Sequence, residues 1–242
     1  MTETDPEVMS GLGRLAHDAG DLELAESWWQ KSADLGDSSA MVSLGFLAEE
    51  AGDLELAKSW YQKSADLGNS DGMVGLGSLA YDAGDMELAE SWYQKSADLG
   101  DAGGMWSLGQ LAYWAGNLML AESWWKEAAD LGETQAMFGL GSLAEEAGDS
   151  VLAESWYQKS ADLGNSAGLV GLGVIADKAG DSVLAESWWR KSADLGDSSG
   201  VLALGFIARN AGDLELAKSW FQKAVDLGNQ NAIDALRALD AS

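Results

Sequence analysis

The sequence contains no cysteine. Disulfide frameworks, thiolate metal sites and cysteine nucleophiles are therefore excluded, and the redox compartment is left open. Proline occurs once, at Pro6, and histidine once, at His17. Basic residues are scarce, 14 against 40 acids, for a formal charge of −26 over 242 residues. A field of that sign repels phosphate backbones and anionic head groups, which disfavours nucleic acids and membrane surfaces as partners. No apolar run approaches the roughly 20 residues that span a bilayer. Residues 1–13 carry neither a basic leader nor an apolar segment, so a cytoplasmic location is expected. β-Branched residues are few and no alternating run survives, so no strand is expected.

What the chain does have is repetition. AGDLELAESWWQ begins at Ala19, AGDLELAKSWYQ at Ala51 and AGDMELAESWYQ at Ala83, and the phrase restarts at Ala115, Ala147, Ala179 and Ala211. The period of 32 residues holds seven times without an insertion. Residues 5–18 match the second half of a unit, residues 19–228 hold the repeats, and residues 229–242 read as a capping helix. No linker interrupts the series, so residues 1–242 are expected to form one domain. Each unit reads as two helices. The spacing predicts one over Asp21–Leu35, with an aspartate to accept from the first-turn amides and Gly36 as the left-handed stop. Its apolar-face positions are Leu24, Ala25, Trp28, Trp29, Ser32 and Leu35, at spacings of three and four. The next helix, Ser38–Glu50, carries Met41, Leu44, Leu47 and Ala48 on one side and stops at Gly52. Fifteen helices are expected, seven pairs and a terminal one.

The unit A-x-x-W-Y-x-K-S-A-x-x-G-x-x-x-G-x-x-x-L-G-x-x-A is carried in the third repeat by Ala89, Trp92, Tyr93, Lys95, Ser96, Ala97, Gly100, Gly104, Leu108, Gly109 and Ala112. It resembles the Sel-one-like repeat (SLR), a relative of the tetratricopeptide repeat, and the resemblance covers essentially the whole chain. One departure is the short A-G-D turn within each hairpin, which is tetratricopeptide-like. The resemblance implies an all-α, right-handed solenoid of antiparallel helix pairs, first helices lining a concave side, and a role as adaptor or scaffold. Stacking chemistry points the same way, because no hairpin buries its apolar stripe alone and neighbours must do so.

Positions that agree in every unit are read as packing. Trp28, Trp60, Trp92, Trp124, Trp156, Trp188 and Trp220 form one column, and Trp29, Tyr61, Tyr93, Trp125, Tyr157, Trp189 and Phe221 a second; both are expected in the core. Mid-helix glycines such as Gly45, Gly77 and Gly109 cost roughly 1 kcal/mol each against alanine. They are read as letting the partner helix approach with its invariant Trp. In the last helix the glycine column becomes Arg237 and the valine column Asp234, the polar replacement a solenoid end requires, so the stack is expected to close near Ser242.

Positions that vary between units fall on one face of the first helices. One column contains Ser10, Val42, Val74, Trp106, Phe138 and Val170; the next contains Arg14, Phe46, Gln110, Val174 and Phe206; the third contains His17, Glu49, Tyr81, Tyr113 and Glu145. By resemblance these are the ligand-facing positions. Trp106, Gln110, Tyr113 and Trp114 are expected to project together, flanked by Tyr81 and Phe138 and rimmed by Glu49, Glu50, Asp82, Glu145 and Glu146. Aromatics beneath carboxylates suit an Arg- or Lys-bearing peptide.

No catalytic constellation stands out in the sequence. His17 has no Ser, Cys or second His beside it for a triad or metal set, and it reads as a solvated helix residue. No carboxylate pair stands apart from the rest. Asp34–Ser39 lacks EF-hand spacing and reads as a helix cap. The G-x-G at Gly11–Gly13 follows no strand and cannot be a phosphate loop. The expected protein is a monomeric, non-enzymatic adaptor without cofactor or metal, holding a protein, a peptide or a small apolar or cationic ligand. A structural spacer, or an engineered consensus-like scaffold with no native ligand, is the alternative.

Overall fold

The computed structural model describes residues 5–240, all in helices and the tight turns between them. Among the described residues there are fifteen helices and no strand. The first eight are α1 Pro6–Asp18, α2 Leu22–Asp34, α3 Ser38–Glu50, α4 Leu54–Asp66, α5 Ser70–Asp82, α6 Met86–Asp98, α7 Ala102–Trp114 and α8 Leu118–Asp130. The others are α9 Thr134–Glu146, α10 Ser150–Asp162, α11 Ser166–Lys178, α12 Ser182–Asp194, α13 Ser198–Asn210, α14 Leu214–Asp226 and α15 Gln230–Asp240. Their number and order match the reading of the repeats. Ser242, where the stack was expected to close, lies outside the described residues.

Local chemistry sets these boundaries. Ahead of α2 the Asp21 carboxylate accepts from the Leu24 amide at 3.1 Å, and the Asp37 carboxylate caps α3 at Ser39 and Ala40. The D-L-G-D-S-S phrase is thus a helix cap. At the other end Gly36 adopts φ 90°, a left-handed conformation that spares the chain a Cβ clash, and Asp37 N–H donates back to the Ser32 carbonyl. Within each of the chain's two compact units, three-residue links reverse its direction, so successive helices there run antiparallel.

The chain divides into two compact units, Met1–Leu131 and Gly132–Ser242. The first holds α1–α8 and the second α9–α15. In each, the A-G-D hairpins pack along more of their length than do the joints between hairpins. Clusters of buried alanine, leucine and one aromatic fill each layer: Ala25, Trp29, Ala40 and Leu44 in the first, Ala57, Tyr61 and Leu76 in the next. Leu24 and Leu35, expected on the apolar side of α2, are 45% and 57% exposed; the buried polar Ser32 takes the inward place and donates to the Pro6 carbonyl at 2.7 Å.

The two aromatic columns behave differently, which corrects the expectation that both are core. Trp29, Tyr61, Tyr93, Trp125, Tyr157, Trp189 and Phe221 are buried, whereas every member of the invariant Trp28 column is half-buried. Trp60 packs from α4 against the layer beneath it, and the Lys63 ammonium covers its ring at 3.6 Å from the centroid. A lysine likewise covers Trp28, Trp92, Trp156, Trp188 and Trp220, whereas Trp124 has Glu127 at that position. The mid-helix glycines serve the other column. A Cβ at Gly45 would stand 2.5 Å from Tyr61 Cε1, and Gly75 closes on the same ring from α5. In α15 the polar replacements pair with each other, Arg237 Nη1 donating to Asp234 at 3.2 Å.

Candidate functional site

The variable columns lie on the first-helix face, where burial is partial. Val42, Val74, Tyr81, Trp106, Gln110 and Tyr113 are half-buried in the first unit, and Phe46 and Trp114 are exposed. In the second unit Phe138, Val170, Val174 and Phe206 are half-buried. Each is held by the aromatic beneath it or by its layer. Phe138 tilts onto Tyr157 at 5.5 Å, Phe206 meets Phe221 edge-on at 5.1 Å, and Val170 and Val174 pack on the cluster around Trp189.

The structure separates the aromatics that were expected to project together. Trp106 stacks on Trp125 at 5.3 Å and Tyr113 tilts onto the same indole at 5.6 Å. Trp114 instead stacks on Tyr81 of α5 at 5.3 Å and remains 58% exposed. One-residue spacing turns Trp114 about 100° from Tyr113 around the helix, so the two rings serve different neighbours.

The open space in the first unit lies nearer its start. A cavity of about 420 Å³ is lined by His17, Trp29, Val42, Phe46, Tyr61 and Val74, with Asp71 at its edge. A second, of about 350 Å³, shares Trp29, Val42 and Asp71 and adds Ser10 and Arg14. His17 is not the solvated residue expected. It is half-buried, 5.6 Å from the Trp29 ring and 6.4 Å from Phe46, with Asp18 and Glu50 carboxylates at 3.8 and 3.9 Å. Sequence reasoning missed this because His17 was judged by its nearest chain neighbours, and the rings that hold it come from α2 and α3.

The rim carboxylates also secure the buried rings. Tyr61 donates its hydroxyl to Glu49 Oε2 at 2.9 Å, and Tyr157 donates to Glu145 Oε2 at 2.7 Å. Burial first, then the adjoining carboxylate, pushes the Tyr61 phenol well above the ordinary tyrosine range, and at Tyr157 burial and Glu145 do so against an opposing Ser142 hydroxyl. Burial alone would raise Glu145, but hydrogen bonds from Lys178 and Tyr157 bring it below its usual value. Where the buried ring is an indole, its Nε1–H finds a backbone carbonyl instead: Trp29 donates to Ser10 and Trp125 to Trp106, each at 3.2 Å. The signal for this was present in the repeats, since Glu49 and Glu145 both stand opposite a tyrosine. Among the described residues no three His, Asp or Glu side chains are grouped to hold a metal ion, and no helix is long and apolar enough to cross a membrane.

A stack of short helix pairs with half-buried, repeat-specific side chains on its first-helix face defines a helical-repeat protein. Tetratricopeptide repeat models match residues 6–31, 106–168 and 201–231, and the Sel1 repeat model matches residues 38–69, 70–101 and 167–197. The chain belongs to the Sel1 and tetratricopeptide-like repeat family. It is similar to a protective antigen of uropathogenic Escherichia coli that displays an SLR fold, at 29% identity over 97% of this chain and 56% of that one, TM-score 0.61. A Sel1 repeat protein from Oxalobacter formigenes is 24% identical over 88% of this chain and 98% of its own, TM-score 0.70. Yeast Tom70 shares the fold, at 16% identity over 98% and 54% of the two chains, TM-score 0.74. The chain thus spans little more than half the length of the antigen and of Tom70. No curated protein matches it in sequence. Repeats of this family generally mediate protein–protein interaction as non-enzymatic scaffolds.

Proposed function

We propose that this protein is a cytoplasmic, non-enzymatic adaptor that holds a cationic peptide segment along its first-helix face. The observation that carries the reading is the run of half-buried and exposed aromatic rings on that face of a strongly acidic chain. Trp106 and Tyr113 lie over Trp125, Tyr81 and Trp114 stack together, and Asp82 and Glu49 belong to the same unit. A Lys or Arg side chain gains from an aromatic face and from the acidic field at once. The charge of −26 speeds encounter with a basic partner and opposes nucleic acids and anionic lipid. The competing reading, a spacer without a ligand, draws support from the packing of Trp106 and Tyr113 on a buried indole.

One experiment separates them. Peptides are selected from a random library on the immobilised full chain, and the enriched sequences are titrated against the chain and against Trp106→Ala/Tyr113→Ala. The adaptor reading expects Lys- and Arg-rich sequences whose affinity falls at least tenfold in the variant while its melting temperature moves little. A large loss of stability with unchanged affinity, or no enrichment at all, supports the spacer.

A further inference from the structure

The seven hairpin turns, six A-G-D and one A-G-N, are alike in backbone and unlike in charge. Over the eight residues that run from the end of each first helix into the second, the formal charge is −3 at 17–24, −4 at 49–56 and −3 at 81–88. It is −3 again at 145–152, and −1 at both 177–184 and 209–216. At 113–120, YWAGNLML, it is zero. Three positions produce this. Trp114 stands where the first three turns carry Asp18, Glu50 and Asp82; Asn117 replaces the aspartate of every other turn; Met119 replaces Glu23, Glu55 and Glu87. The replacements are open to solvent, Met119 at 82% and Trp114 at 58%, and Leu118 and Leu120 beside them are 46% and 43% exposed. Asn117 still caps α8, accepting from the Leu120 amide at 3.3 Å, so the change cost the turn its charge and not its geometry.

We propose that this neutral tip between α7 and α8 is where a second copy of the chain docks, tip against tip, in a weak two-fold dimer. A basic partner would be drawn to the turns that carry −3 or −4 and would lose attraction at this one. A neutral tip removes the local repulsion that an acidic partner would otherwise meet, and a copy bearing −26 is such a partner. A two-fold contact presents the same patch from both sides, so a single neutral tip suffices for both. One tryptophan, one methionine and two leucines amount to an apolar patch of a few hundred Å² at most. Stable interfaces bury about 800 Å² per partner, so the dimer is transient and the dilute protein is monomeric. Screening of the remaining charge makes it salt-promoted, the reverse of an ion-paired interface.

Sedimentation velocity of the full chain, over rising protein concentration at low and high sodium chloride, tests the proposal. The expected result is a monomer in dilute low-salt buffer and a reversible dimer at concentrations on the order of 100 µM in high salt. Asn117→Asp/Met119→Glu installs the aspartate of every other turn and the glutamate of four of them, and touches none of the groove side chains. It should fold as the parent does and weaken association at least tenfold. Val183→Glu, which adds an acid at the sixth turn, should leave the dimer intact. The proposal is overturned by a parent chain that stays monomeric at about 1 mM in high salt, or by a double variant that associates as strongly as the parent. Loss of association in Val183→Glu equal to that in the double variant would also overturn it, because the effect would then be one of net charge alone.

Discussion

Replacing Gly45 by alanine sets two known effects against each other in one helix. Alanine in a helix interior is favoured over glycine by roughly 1 kcal/mol, because less backbone freedom is lost. At Gly45 the added methyl would stand 2.5 Å from Cε1 and 2.6 Å from Cδ1 of Tyr61. The ring has little room to yield. It is 4% exposed, its hydroxyl is tied to Glu49, and a methyl at Gly75 would stand 2.8 Å from its other flank. Overpacking of this kind costs about 1–3 kcal/mol, so its middle value outweighs the helix gain by about 1 kcal/mol. For a chain of this size that lowers the melting temperature by about 2–4 °C. Gly11→Ala is the control, since a methyl there would meet nothing within 4 Å and only the propensity gain remains. Thermal unfolding followed by circular dichroism should place Gly45→Ala below the parent and Gly11→Ala above it. If Gly45→Ala equals or exceeds the parent, the glycine column does not exist to admit the buried ring.

Other perturbations follow from the same construction. Deleting residues 70–101, one full period, should give a helical protein that melts in a single transition at a lower temperature, because each layer contacts only its neighbours; failure to fold would argue against modular stacking, and two separate transitions against the single domain we propose. Stability should rise with sodium chloride through screening of −26, and a melting temperature that falls steadily with salt would contradict this. The Tyr61 phenol is raised above its unfolded value of 10.0, so its contribution is complete below pH 10 and is lost as pH climbs beyond it. Tyr61→Phe should therefore lose less stability than the parent between about pH 8 and pH 11, at a cost of about 1 kcal/mol near neutrality for the missing hydrogen bond to Glu49.

Most of the fold was legible because the repeat states its rules seven times. Asp or Asn before the helix and Gly after it placed α2 and α3 to within a residue. The face of the variable columns could also be read, since three- and four-residue spacing fixes which side chains share a face. What could not be read was contact between helices. Invariance marked the Trp28 column as core, yet a half-buried residue here is as constant as one fully buried. The glycines were assigned to the wrong aromatic for the same reason, because the two rings are adjacent in sequence and only the packed structure shows which one meets the partner helix. His17 and Trp114 likewise take their surroundings from neighbouring helices.

The account rests on the first-helix face being the interaction surface. Backbone amide shifts of the full chain, recorded while the tightest Lys- or Arg-rich library peptide is added, address this directly. The account predicts saturable shifts concentrated around Val42, Phe46, Val74, Tyr81, Trp106, Gln110 and Tyr113, with the second helices α2, α4 and α6 largely unmoved. Shifts spread evenly over the acidic surface without saturation, or concentrated on those second helices, would contradict it.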